Sequence, residues 1–181
     1  MSRWNRTHET LQRAALHLFQ HHGYDATSTA QVAAAAGVSE VTLFRHFPTK
    51  ASLLLDDPFD PLIADAVRHR PASETPLRAT VEGVRAAWRT LDPELTDALR
   101  TRLRLVATTP SLHGALQTSG APTIAALADA LHARGATPAQ AQVVSAAVVA
   151  GLGAALLEWA RSGTEPLDTA VGHALDAMAG R

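Results

Sequence analysis

Residues 28–50 read STAQVAAAAGVSEVTLFRHFPTK, two short helical runs separated by a glycine. Ser28 or Thr29 can cap the first run with a hydroxyl that accepts from an otherwise unpaired first-turn N–H. Gly37 takes the left-handed turn that ends it, and Ser39 caps a second run beginning at Glu40. Val32, Ala33, Ala36, Val38, Leu43 and Phe47 fall where two crossed helices share a small core, leaving Glu40, Val41, Thr42 and Arg45 outward. The unit reads as a helix-turn-helix, whose outward second-helix side chains are spaced to enter a DNA major groove.

On the N-terminal side, Leu11, Ala15, Leu18 and Phe19 repeat at helical spacing, predicting a helix over 7–22 that Gly23 stops. On the other side, Lys50 opens a helix through Leu53, Leu54 and Leu55. Pro58 and Pro61 forbid its continuation, because proline lacks the N–H and crowds the preceding turn. A second piece is expected over 62–68, then a short linker containing Pro71, Ala72, Ser73 and Pro76. Leu77, Val81, Val84 and Trp88 mark one face of the next helix, and Asp92-Pro93-Glu94 starts another to about residue 108. Shorter helices follow to 117 and 135, then long ones over 138–161 and 166–178. No strand-like alternation or repeat interrupts them. The fold class is all-α: a three-helix DNA-binding domain over 1–50 and a helical domain over 51–181.

The net charge is −1, yet residues 1–50 hold five basic groups against three acids. That excess is small for a nucleic-acid binder, so hydroxyls, helix N-termini and a second copy would supply much of the phosphate attraction. The chain has no cysteine, which excludes disulfides, thiolate chemistry and cysteine zinc sites. The N-terminus lacks a signal-peptide apolar run, and no stretch holds about 18 unbroken apolar residues, so a cytoplasmic protein is expected, with no membrane partner.

The segments Gly23-Tyr24-Asp25-Ala26-Thr27-Ser28, Val32-Ala33, Ala36-Gly37-Val38-Ser39, Thr42-Leu43-Phe44, His46-Phe47 and Lys50 resemble the N-terminal domain of TetR-type (TetR/AcrR-type) transcription regulators. The resemblance spans about 7–54. It implies that Thr29, Glu40, Val41, Thr42, Phe44, Arg45, His46 and Lys50 face DNA. Arg45 can read guanine O6 and N7, Val41 and Thr42 can touch a thymine methyl, and Glu40 can accept from cytosine N4 or serve as a first-turn acid. Thr29, His46 and Lys50 would hold phosphates. Phe44 stands where the family usually keeps a phosphate-binding tyrosine, which predicts weaker affinity, and Ala30 offers nothing to the groove.

For the remainder, the resemblance implies a small-molecule pocket and a homodimer. Apolar pocket candidates are Leu55, Phe59, Trp88, Leu103, Val106, Leu127, Leu152 and Trp159, and Arg100, Arg102 and Arg104 could attract an anion. Residues 53–71, LLLDDPFDPLIADAVRHRP, resemble a family branch taking acyl-coenzyme A-like effectors. The proline break there would relay effector binding to the reader. Val144, Val148, Gly151, Leu152, Ala155, Leu167, Val171 and Leu175 form stripes suited to a four-helix dimer interface. Such a dimer presents two recognition helices roughly 34 Å apart, hence a palindromic operator. Two other readings are a dimer without any ligand and a helical enzyme, but GxSxG, HExxH and phosphate-loop motifs are all missing. His17 and His21, spaced i, i+4, lack a third ligand at useful spacing, so no metal or cofactor is expected.

Overall fold

The computed structural model describes residues 3–56, 60–90, 94–162 and 165–180. Its helices are α1 (Arg3–His22), α2 (Thr29–Ala35), α3 (Glu40–His46), α4 (Ser52–Leu55), α5 (Asp60–Arg68), α6 (Pro76–Trp88), α7 (Glu94–Thr108), a 3₁₀ turn (Pro110–Leu112), α8 (His113–Ser119), α9 (Ala121–Ala133), α10 (Pro138–Ser162) and α11 (Leu167–Met178). No strand occurs among the described residues, so the fold is all-α. Helix α1 starts about a turn earlier than its apolar periodicity predicts. Pro58, Phe59, Asp92 and Pro93 lie outside the described residues, and with them the expected proline break and the cap of α7.

Two compact units divide the chain. The first contains residues up to Asp56 together with 104–119, and the second contains 57–103 and 120–181. A division at residue 50 is therefore too early, because Leu53 and Leu54 of α4 are buried, with α4 packed on α1 and α8. In the first unit Leu11, Ala15 and Phe19 form the buried face of α1, and Gly23, at φ +83°, ends it with its N–H on the Phe19 carbonyl at 3.0 Å. Helix α4 begins later than Lys50: Thr49 and Ser52 cap one another, each hydroxyl accepting from the other's backbone N–H.

In the second unit α9 and α10 form a hairpin through Gly135, α5 packs on α6 and α9, and α11 lies on α10 and α6. Val67, Val84, Leu127, Leu131, Val148, Leu152, Trp159, Val171 and Leu175 are core members. Gly83 permits the α5–α6 approach: a Cβ there would sit 2.6 Å from Val67 Cγ2 and 2.9 Å from its backbone N and Cα. Leu77, expected on the buried face of α6, is exposed, and Thr75 caps that helix instead. The linker before it is fastened. Arg70 pairs with Glu74 at 2.5 Å, and the Arg134 guanidinium donates to the carbonyls of Arg70 and Pro71. Burial raises the Glu74 carboxyl, but the stronger hydrogen bond from Arg70 holds it below its ordinary range.

Candidate functional site

In the first unit the sequence builds a reading head. Ser28 and Gln31 form a reciprocal capping box at the start of α2. Gly37, at φ +70°, makes the turn that a Cβ would strain. Ser39 accepts from the Thr42 N–H at 3.2 Å and opens α3. Val32, Ala33, Leu43 and Phe47 bury the inner faces, so the outer face of α3 is set by packing. On it Val41 is 73% and Phe44 46% exposed, beside exposed Arg45. An outward valine and phenylalanine one turn apart gain nothing from water, and their exposure suits contact with thymine methyls and sugars.

Other candidates take different places. Thr29 donates to Glu40 Oε1 at 2.6 Å, so these two tie α2 to α3. Thr42 is half-buried, with its hydroxyl 3.0 Å from that of Ser39. Lys50 places its ammonium 4.2 Å from the Tyr24 ring centroid and 5.8 Å from that of Phe19. Burial lowers its pKa while Asp25 opposes the shift. His46 is the clearest correction to the expected phosphate contacts. It is only 9% exposed, stacks at 3.7 Å on Trp4 of α1, and its buried Nδ1 has no partner. Burial, then His8 and Arg45, push its pKa down. Trp4 was invisible to the pattern because the helix was expected to begin after it; its position one turn before His8 was the available signal.

In the second unit Leu127, Leu152 and Trp159 are buried core and Trp88 and Leu103 partly buried, whereas Val106 is buried in the first unit. Trp159 donates to the Glu165 carbonyl at 2.9 Å, and Arg100 lies 4.3 Å over its ring. The indole N–H of Trp88, Nε of Arg100 and the Ser145 hydroxyl are buried without partners.

Five expected dimer residues, Val148, Leu152, Leu167, Val171 and Leu175, point into the protomer's own core and are closed to a partner. Val144 also packs against that core, and Gly151 sits under Met178. The outward stripe of α10 is different: Val143, 67% exposed, then Ala147, Ala150 and Ala154 exposed and Leu157 partly so. Their spacing of four, three, four and three residues is the a/d spacing of a coiled coil and was readable in the sequence. Apolar on both faces, the 25-residue α10 has a window of mean hydropathy 1.8, long and apolar enough to cross a membrane. Core burial accounts for one face, and the other is exposed.

Comparison with known proteins settles what kind of reading head this is. Residues 11–56 match the model of bacterial regulatory proteins of the tetR family, and residues 74–181 match the MftR C-terminal domain. The chain belongs to the TetR family. The HTH-type transcriptional regulator TcmR of Streptomyces glaucescens is 40% identical over 114 residues, 59% of this chain and 50% of TcmR, so the chain matches about half of that relative's length. Two solved structures share the fold. NalD of Pseudomonas aeruginosa, a secondary repressor of a multidrug efflux pump, has TM-score 0.56 at 23% identity, covering 97% of this chain and 95% of NalD. FadR of Thermus thermophilus, solved with lauroyl-CoA, has TM-score 0.51 at 22% identity, covering 95% of this chain and 93% of FadR. TetR-family regulators bind operator DNA and act as dimers, and response to small-molecule effectors is typical of the family.

Proposed function

We propose that this TetR-family protein is a cytoplasmic, homodimeric repressor released from a palindromic operator by a small apolar or acyl-type effector. The observation that carries the DNA-reading part is the outer face of α3, where Val41, Phe44 and Arg45 stand exposed on a helix fixed by its cap and core. Arg45 reads guanine, Val41 touches thymine methyls, and Phe44 packs on the sugar-phosphate chain in place of a hydroxyl contact. The α10 seam joins two copies, whose symmetry sets the symmetry of the operator. The effector binds the second unit and favours an arrangement with lower DNA affinity. The comparison supporting an acyl-type effector is with FadR, a repressor solved with lauroyl-CoA.

Fluorescence anisotropy on DNA from upstream of the gene tests the DNA half. Tight binding that weakens as salt rises, and at least tenfold weaker binding by Arg45→Ala, is expected. Binding equal to that of random DNA, unchanged in the variant, would overturn it. Release of the same DNA by lauroyl-CoA is the expected effector result; DNA affinity unmoved by acyl-CoAs of any chain length would remove the acyl part of the proposal.

A further inference from the structure

Arg100 is a cation of the second unit, held over an aromatic ring. Its guanidinium lies 4.3 Å over the buried ring of Trp159, its neighbours Leu99 and Leu103 pack against the core, and its Nε is buried without a partner. No acceptor or carboxylate pairs with it among the described residues. A guanidinium held over an aromatic face can turn its edge N–H groups to a planar or tetrahedral anion and hold it by two parallel hydrogen bonds.

The Trp88 indole N–H belongs to a side chain packed on the same core; it too is buried and unpartnered, and it can only donate. The Ser145 hydroxyl is remote from the Arg100–Trp159 pair, since fourteen residues along α10 separate it from Trp159 by about 21 Å.

We infer that the effector is an amphipathic anion, an apolar body carrying a carboxylate, sulfonate or phosphate that the Arg100 edge receives beside Trp159. This deepens the effector reading above and rests on it. Arg100 sets specificity: a neutral molecule of the same shape gains the apolar contact but leaves the cation unpaired.

The test uses the full-length protein and two dyes of one skeleton, 1-anilinonaphthalene-8-sulfonate and uncharged N-phenyl-1-naphthylamine, titrated by fluorescence into wild type and Arg100→Met, which keeps the aliphatic stem. Wild type should bind the sulfonate near one per protomer, and the variant should bind it at least tenfold more weakly with the neutral dye unchanged. Equal affinities of both dyes for both proteins, or a parallel loss of both dyes in the variant, would overturn the anion anchor while leaving a ligand-binding unit standing. Binding of neither dye by wild type would overturn both. Should the variant melt below assay temperature, wild-type titrations at low and high salt decide. Weakening of the sulfonate alone supports the anchor, and identical salt response of the two dyes contradicts it.

Discussion

His46 and Arg45 are neighbours in sequence with opposite fates. Residue 45 projects from α3 into solvent, whereas residue 46 turns inward under Trp4 and beside His8. That burial makes His46 a stability group. Its pKa is lowered in the folded chain, so the unfolded state binds the proton more readily. The stabilisation is complete above the ordinary histidine value of about 6.5 and is lost as pH falls through the lower folded value. The melting temperature of the first unit should therefore drop between pH 7.5 and 5, and His46→Gln should flatten that slope; parallel slopes would show that His46 is not the group. Arg45 carries the opposite expectation: Arg45→Ala should leave the melt unchanged while DNA affinity falls. Neither fate was legible from residue type. Both side chains are polar members of one short helix, and only the placement of Trp4, four residues before His8, decides which is covered.

At the scale of elements, the caps and turns were the most legible part. Ser28, Ser39, Gly37 and Gly23 act locally, and local chemistry survives whatever packs around it. Ser39→Ala should lower stability by about 1 kcal/mol in a denaturant melt, because the Thr42 N–H loses its acceptor. Packing was less legible. Nothing in TPLRATVEGVRAAW says that Gly83 is where α5 meets α6, yet a methyl there would press on the Val67 backbone, which cannot move aside as a flexible side chain would. Gly83→Ala should cost about 1–3 kcal/mol despite its gain in helix propensity; a neutral or stabilising result would mean the helices are farther apart. The α10 stripes show the same limit. Val148 and Leu152 and the Val143–Ala147–Ala150–Ala154 row are both apolar at helical spacing, and only the tertiary arrangement of α9 and α11 tells which faces inward.

For the whole molecule, the proposed repressor divides the work between a DNA-reading first unit and a sensing second unit, with the outward stripe of α10 proposed as the seat of a second copy. Small side chains there let helices approach closely, and a long charged one should prevent it. Ala150→Arg should convert a dimer to a monomer by light scattering, with helicity retained and operator affinity lost at nanomolar protein; an unchanged dimer would move the interface elsewhere. The central claim is that a symmetric pair of α3 helices reads DNA. Its most direct test is selection of duplexes from a random-sequence pool by the full-length protein, sequenced beside a parallel selection with Arg45→Ala. A two-fold symmetric motif enriched by the wild type and missing from the variant's pool is the predicted result. No enriched motif, or one shared equally by the two proteins, would contradict the assignment of α3 as the reader.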